Sequence, residues 1–229
     1  MSGSKKIIVL GGAGDVGEGI VRQLRQAGHH VGVPSRSQSK LDALERVTAG
    51  SGKLTGAVGA IDDPALANDM ATRMGPVDMI VASIGSWWSG PPLIDVSVDD
   101  FNSVLAGSLT AHYTAARAFL PLVRGRDGGQ YVFINGGAAR MPIPHSGLVS
   151  ISAAAQEMLK SVLAQEHSKD PISISTLMLF SMVKTRSRPD GPPEWLSADD
   201  VGRQITHMLD HAPQTGATTM LAKPSDIPV

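Results

Sequence analysis

The chain has 229 residues, of which 42% are hydrophobic and 18% are charged. This composition supports one substantial core, so we expect a single domain over residues 1–229. The 20 basic and 21 acidic residues give a net charge of −1, and a chain without a basic surplus is a poor candidate for binding nucleic acid. The sequence contains no cysteine, which excludes disulfides, thiolate nucleophiles and sulfur-ligated metals.

No apolar run reaches the roughly 20 residues that a membrane helix needs. The longest candidate is Pro171–Val183. The run after Lys5 and Lys6 is only Ile7–Leu10, which is too short for the core of a signal peptide. We therefore expect a cytoplasmic protein without a membrane partner, in agreement with the lack of cysteine.

Apolar strand-like runs alternate with segments of helical periodicity along the chain. Several runs are almost continuously apolar, which is typical of parallel strands buried on both faces. The predicted strands are Lys6–Leu10, His30–Val33, Leu54–Ile61, Val77–Ser83, Gln130–Ile134, Ile172–Phe180 and Ala217–Ala222. This alternation predicts an α/β fold with an open, doubly wound, Rossmann-like parallel sheet of seven strands and right-handed crossovers.

Capping residues mark the starts of three predicted helices. These signals are Asp63 before Pro64, Ser97 with Asp100, and Ser197 with Asp200. A further helix is predicted over Ser150–Gln165, where apolar side chains recur at helical spacing. We expect these side chains to form its buried face: Ile151, Ala155, Met158 and Val162.

The first predicted strand leads directly into a glycine-rich loop and then into a helix. Glycine permits positive φ and close backbone approach, and free N–H groups at a helix start attract a diphosphate. A dinucleotide site is therefore predicted, with a plain tight turn as the alternative. Its residues would be Gly11, Gly14, Asp15, Val16 and Gly17.

The end of the second strand indicates which dinucleotide binds. About 20 residues after the glycine loop, an NAD site usually carries an acid and an NADP site a cation. Here Ser35 is followed by Arg36, and no acid occurs before Asp42. Arginine can form a bidentate pair with a 2′-phosphate. We expect NADP(H), with NAD(H) possible; otherwise Arg36 is a solvated arginine at a strand end.

From about Lys5 to Ala222 the chain resembles the short-chain dehydrogenase/reductase family. The glycine loop resembles the family's extended-type G-x-x-G-x-x-G motif. Residues 77–85 resemble the strand that ends in Asn-Asn-Ala-Gly, of which only Gly85 remains. Residues 101–121 are similar to the helix with the active-site asparagine, whose place Ser108 takes.

A second similarity follows the sixth strand. Val183-Lys184-Thr185 is similar to the family's V-x-T motif, although the usual preceding Pro-Gly is missing. The resemblance implies that Val183 and Thr185 contact the cofactor, with the threonine at the nicotinamide amide. Between Thr185 and Ser197 the chain has room only for a short lid, so we expect an open pocket.

The serine, tyrosine and lysine that the family uses for catalysis are absent. With the family's spacing, Gly136, Val149 and Ala153 occupy their places. In the family, the phenol gives a proton to the carbonyl oxygen, the ammonium lowers the pKa of that phenol, and the serine holds the developing oxyanion. Glycine, valine and alanine can do none of this, so we expect the usual mechanism to be lost.

Other polar side chains are predicted near this pocket: Ser108, Asn135, His145, Ser146 and Ser150. His145 is the only ordinary proton-transfer group among them near neutral pH, with an exposed loop histidine as the alternative. The pair Trp87-Trp88 is either a substrate wall or an anchor of its own loop. His207 and His211 lie one helical turn apart without a third ligand, which favours a solvated helix face over a metal site.

Three functions remain open. The first is an atypical NADP(H)-dependent oxidoreductase for a small molecule, with the proton coming from His145, water or the substrate. The others are a non-redox isomerase, cyclase or lyase, and a non-catalytic cofactor-binding subunit or sensor. The resemblance alone ranks the first ahead. It also implies a homo-oligomer, dimer or tetramer, that pairs through the helices Val98–Leu122 and Ser150–Gln165.

Overall fold

The computed structural model describes residues 3–228 and contains a seven-stranded parallel sheet. The chain's strands are β1 Lys6–Leu10, β2 His30–Ser35, β3 Leu54–Val58, β4 Met79–Ala82, β5 Gly129–Gly136, β6 Ile172–Leu179, β7 Val183–Lys184, β8 Leu196–Ser197 and β9 Thr218–Leu221. The sheet order is β3-β2-β1-β4-β5-β6-β9, while β7 and β8 form a separate pair. The strand order therefore reverses direction between β1 and β4.

The helices are α1 Asp15–Gln26, α2 Gln38–Val47, α3 Pro64–Met74, α4 Val98–Leu105, α5 Ala111–Phe119, α6 Pro121–Arg124, α7 Gly147–Glu166 and α8 Ala198–Asp210. A π-helical turn, Ala106–Thr110, joins α4 to α5. Over residues 3–228, no helix combines the length and the apolarity that crossing a bilayer requires.

Both faces of the sheet are buried, because successive side chains of a strand point to opposite sides. In β1, Ile7 and Val9 join the core beneath α1, α2 and α8, whereas Ile8 and Leu10 join the core beneath α3, α5 and α6. All four side chains are fully buried. This is the environment that the nearly continuous apolar runs predicted.

The predicted α/β class and all seven strands of the sheet are confirmed. The boundaries differ by a few residues: β3 ends at Val58 instead of Ile61, and β5 continues to Gly136. The small β7–β8 pair was not predicted, since two-residue strands have no readable periodicity. The predicted domain, 1–229, also includes residues 1, 2 and 229, which lie outside the described residues.

The predicted N-caps are present. Asp63 accepts a hydrogen bond from the backbone N–H of Ala65 at 2.8 Å, with Pro64 at the start of α3. At α8, Ser197 and Asp200 form a complete capping box. Each cap satisfies N–H groups that have no partner within the helix.

The buried face predicted for α7 is wrong. Met158 is 65% exposed and Val162 is 46% exposed, with Ile151 also exposed and Ala155 half-buried. The buried face carries polar side chains instead, including Gln156, which donates to the carbonyl of Ile134 at 3.0 Å. Periodicity showed that α7 has an apolar stripe, but it did not show whether the sheet or another surface covers that stripe.

Candidate functional site

A cleft of about 550 Å³ opens at the carboxyl ends of β1, β4, β5 and β6. Ligands of open α/β sheets bind at such a place, where the strand order reverses. The cleft is lined by most of the sequence-predicted site residues: Gly11, Gly14, Asp15, Val16, Gly17, Gly85, Ser108, Asn135, Gly136, Val149, Ala153, Val183 and Thr185. The fold thus unites the glycine loop and the four positions of the family's catalytic set.

The glycine loop has the backbone geometry of a tight strand-to-helix connection. Gly11 has φ +77°, and a Cβ on it would lie 2.0 Å from the carbonyl oxygen of Ser83. A Cβ on Gly17 would lie 2.2 Å from the oxygen of Gly11. Helix α1 begins after Gly14 without a side-chain cap, so its first N–H groups can receive an anion. These features fit a cofactor diphosphate.

One side chain of this loop carries a negative charge. Asp15 lines the cleft, and its Oδ2 accepts a hydrogen bond from the hydroxyl of Ser187 at 2.8 Å. A carboxylate here reduces the attraction of the helix start for a diphosphate. The only cationic side chain in the described lining is Arg188.

Ser35 and Arg36 lie at the end of β2, outside the lining of the cleft. The hydroxyl of Ser35 accepts from the backbone N–H of Ser37 at 3.2 Å, at the start of α2. Arg36 is exposed, and it makes no hydrogen bond or ion pair within residues 3–228. Its guanidinium is therefore available to a phosphate. The preference for NADP(H) stays a prediction.

The three residues that sequence spacing assigned to the family's serine, tyrosine and lysine all line the cleft. Gly136 ends β5, while Val149 and Ala153 lie on successive turns of α7. No tyrosine substitutes for the missing phenol. Tyr131 is fully buried in the core, which raises the pKa of its hydroxyl, and Tyr113 is not part of the described lining.

Ser108 and Asn135 line the cleft, but their side chains form hydrogen bonds with backbone groups of the protein. The hydroxyl of Ser108, in the π-helical turn, donates to the carbonyl of Val104 in α4 at 2.6 Å. Asn135 Nδ2 donates to the carbonyl of Ala153 at 2.9 Å, and its Oδ1 accepts from the N–H of Gly136 at 2.8 Å. Asn135 therefore fastens the end of β5 to α7. Catalytic roles for both residues remain predictions.

His145 does not line the cleft. Its Nδ1 lies 3.2 Å from the carbonyl oxygen of Gly90, and the N–H of Gly90 donates to the carbonyl of His145 at 2.8 Å. A hydrogen bond between the hydroxyls of Ser89 and Ser146, at 3.1 Å, strengthens the same contact. The geometry therefore gives His145 a part in joining two loops, and its catalytic role remains a prediction.

Trp87 and Trp88, for which the sequence left open a substrate wall or a loop anchor, lie in different surroundings. Trp87 lines the cleft, is 53% exposed and donates through Nε1 to the hydroxyl of Ser89 at 2.9 Å. Trp88 is half-buried, and its ring lies against Gly90. Trp87 is therefore available to a ligand, whereas Trp88 packs on its own loop.

Ser150 and the distant histidine pair complete the sequence candidates. The hydroxyl of Ser150 accepts from the N–H of Ile143 at 3.1 Å, which supports the loop before α7. The rings of His207 and His211 are stacked with centroids 4.3 Å apart. Within the described part of the chain, no group of three or more His, Cys, Asp or Glu residues could hold a metal ion.

Sequence reasoning missed several residues that line the cleft: Met141, Ser152, Gln156, Met182 and Arg188. Arg188 had a readable signal, because it follows the V-x-T motif within the short lid segment. Gln156 had none, since it belongs to the helix face that periodicity assigned to solvent. Met141 and Met182 lie in loops, where the spacing of residues in the sequence does not indicate the direction of their side chains.

The chain is similar in sequence to known proteins. A family model described as short chain dehydrogenase matches residues 5–190. Dehydrogenase/reductase SDR family member 4 from Bos taurus is 27% identical over 179 residues, which cover 76% of this chain and 64% of that protein. This chain therefore aligns with less than two thirds of that relative's length.

Solved structures agree with the fold. A dehydrogenase/reductase from Sinorhizobium meliloti 1021 has a TM-score of 0.84 at 23% identity, covering 97% of this chain and 94% of that one. The structure of ElxO with NADP bound has a TM-score of 0.84 at 17% identity, covering 96% and 98%. Identities this low establish the shared fold alone.

Proposed function

The chain belongs to the short-chain dehydrogenase family, and from that premise we propose that it is an NADP(H)-dependent oxidoreductase that works without a serine, tyrosine and lysine set. The observation that supports this proposal is the single cleft that contains the glycine loop, Thr185 and the former catalytic positions. A bound nicotinamide cofactor would supply or accept a hydride there. We further propose a cytoplasmic homo-oligomer acting on a small molecule.

NADP(H) is the proposed cofactor because of the charges at the end of β2. Arg36 is exposed and unpaired among the described residues, and the next acid in sequence is Asp42. The carboxylate of Asp42 accepts from Gln38 at 2.7 Å within α2, so it is already engaged in a local contact. A 2′-phosphate would gain a charge-assisted hydrogen bond from Arg36.

Calorimetric titration tests this assignment. The wild type should bind NADP⁺ at least about tenfold more tightly than NAD⁺, since a hydrogen bond to a charged group contributes roughly 1.5–3 kcal/mol. Arg36→Ala should remove the difference by weakening NADP⁺ alone. Arg46, which lies on the exposed side of α2, offers a matched control, because Arg46→Ala removes the same charge farther along the chain. Equal affinities of the wild type for both cofactors would contradict the proposal.

The side chains at the places of the family's serine, tyrosine and lysine can bind and shield a substrate but cannot deliver a positioned proton. Val149 and Ala153 present aliphatic groups, and Gly136 presents only backbone. We propose that His145, water or an acidic group of the substrate supplies the proton instead. We therefore expect very slow reduction of simple ketones, and faster turnover for substrates that carry their own acid or an already polarised carbonyl.

The loss of NADPH absorbance with a panel of carbonyl compounds tests the oxidoreductase proposal. Oxidation in a one-to-one ratio with product would support it. The missing proton donor favours one rival, a non-redox isomerase, cyclase or lyase, which would turn over substrate at constant absorbance. Absence of turnover, together with a tight protein partner recovered from cells, would favour a cofactor-binding subunit or sensor.

A further inference from the structure

The residues that follow β7 form a tight turn at the rim of the cleft. The N–H of Thr185 donates to the carbonyl of Arg188 at 2.9 Å, and the N–H of Arg188 donates back to the carbonyl of Thr185 at 3.1 Å. The hydroxyl of Thr185 also lies 3.2 Å from the N–H of Arg188. These bonds fix the backbone, so the side chains of the turn leave it in set directions.

Two side chains of this turn are attached to α1. The hydroxyl of Ser187 donates to Asp15 at 2.8 Å, and Arg186 pairs with Glu18 at 3.0 Å. Glu18 is itself fixed, because it also pairs with Arg22 at 2.7 Å. The turn is therefore held against the glycine loop by contacts that need no ligand.

Arg188 differs from its neighbours in the turn. Arg188 lines the cleft and is exposed, and its guanidinium makes no hydrogen bond or ion pair with any residue from 3 to 228. A guanidinium carries five N–H donors and no acceptor, and it matches the geometry of carboxylate and phosphate. An exposed, unpaired cation on a backbone held at the wall of a cleft is therefore suited to an anionic ligand.

Exposed apolar side chains also line the cleft, beside polar residues such as Asp15 and Ser181. Trp87, Met141 and Met182 line the cleft and are 53%, 49% and 40% exposed, respectively. Exposed apolar side chains that gather at a concave site are typical of binding surfaces. Arg188 is then the only cationic residue of the described lining, next to apolar side chains that can hold an apolar body.

We propose that Arg188 is the anion anchor of the cleft, meaning that its guanidinium pairs with an oxyanion of the bound molecule. Two sources share this chemistry. The cofactor diphosphate is one, since the turn is tied to Asp15 beside the glycine loop. The carboxylate of a substrate with an apolar body is the other, since exposed apolar side chains line the same cleft. Only the first source rests on the proposed function.

The test compares the wild type with three variants by calorimetry. Arg188→Met keeps a long apolar stem and removes the charge, Arg188→Lys keeps the charge without the paired donors, and Arg140→Met removes an exposed arginine that is not in the described lining. One arm titrates NADP⁺. The other titrates naphthalene-2-carboxylate and its uncharged carboxamide, each with and without saturating NADP⁺.

We expect Arg188→Met to lose affinity for the anionic probe by roughly 10- to 100-fold, with Arg188→Lys intermediate and Arg140→Met unchanged. A loss in the NADP⁺ arm identifies the diphosphate as the partner. A loss for the carboxylate but not for the carboxamide identifies a substrate acid. Thermal unfolding should be the same for the wild type and Arg188→Met, because the side chain has no partner within the described structure.

The anchor is refuted if Arg188→Met stays within twofold of the wild type in both arms, or if the wild type binds none of the probes. Failure of the proposed function gives a different pattern. If the protein binds NADP⁺ normally but without dependence on Arg188, and binds no carboxylate, the anchor fails while the cofactor assignment stands. If it binds no NADP⁺ but binds the carboxylate through Arg188, the anchor stands and the cofactor assignment fails.

Discussion

In the proposed function the cleft has no positioned proton donor, so the combined substitution Gly136→Ser, Val149→Tyr and Ala153→Lys should supply one. A Cβ built on Gly136 would have its nearest heavy atoms, the nitrogen of Ala138 and the oxygen of Leu179, at 4.0 Å. Serine therefore fits without a backbone shift. Val149 is half-buried and Ala153 is 8% exposed, and both line the cleft, so larger side chains can extend into open space.

The size of the expected gain follows from the groups that are restored. A positioned general acid contributes about 10²–10⁴ in rate, and one oxyanion donor about 10²–10³. The full product is not expected, because such groups act as a unit. Ser108 also stands in place of the asparagine, and its hydroxyl donates to Val104 instead of supporting the site. We therefore predict a gain of about tenfold or more, which corresponds to a barrier lower by about 1.4 kcal/mol.

Initial rates of NADPH oxidation with a simple ketone measure this gain. Val149→Phe is the matched control, since it adds the ring without the hydroxyl and should gain nothing. The reasoning is refuted if the triple variant binds NADPH, remains folded and is no faster than the wild type. It is also refuted if the wild type reduces ketones at ordinary enzyme rates and His145→Ala abolishes that activity, because the histidine would then be the proton donor.

Three further predictions concern the assembly of the protein, its stability at low pH and the glycine loop. Light scattering should report a dimer or tetramer for the wild type, and a wild-type monomer in dilute solution would contradict this prediction. Met158→Glu, on the exposed stripe of α7, should shift the oligomeric state toward the monomer. Burial lowers the pKa of His112 to about 4, so the unfolded chain binds more protons between about pH 4 and 6.5. Stability should therefore fall by roughly 3 kcal/mol as the pH drops through that range, and His112→Leu should flatten the dependence in urea titrations. Gly11→Ala should destabilise the fold by about 1–3 kcal/mol and abolish cofactor binding, since its Cβ would lie 2.0 Å from the oxygen of Ser83; unchanged urea midpoints would refute the clash.

Most of the sheet could be predicted from the sequence because its strands are buried on both faces. Ile7 to Leu10 form one such strand, and an apolar residue at every position admits few other interpretations. Helix α7 was predicted as a helix, but its orientation was not. Gln156 and Lys160 are buried there because strand and loop carbonyls accept their hydrogen bonds, the lysine donating to Gly216 at 2.7 Å. No pattern of apolar residues can reveal such contacts.

The candidate site was predictable where motifs constrain the backbone. The glycine loop and Val183 to Thr185 meet at the cleft because parallel strands bring their carboxyl ends to one edge. Loop residues were harder to place. Histidine is the usual proton-transfer residue near neutral pH, which made His145 the sequence candidate, yet it contacts Gly90 and is not in the described lining. Arg188 reaches the cleft through a turn whose hydrogen bonds the sequence does not show.

The central claim is that NADP(H) binds in a cleft that has no built-in proton donor. A crystal structure obtained with saturating NADP⁺ tests it most directly. We predict the diphosphate at Gly11–Gly17, the 2′-phosphate at Arg36, and the nicotinamide beside Gly136 and Val149, with no tyrosine or lysine of the chain at its C4 carbon. A cleft without NADP⁺ at saturation, or a tyrosine or lysine positioned at C4, would contradict the claim.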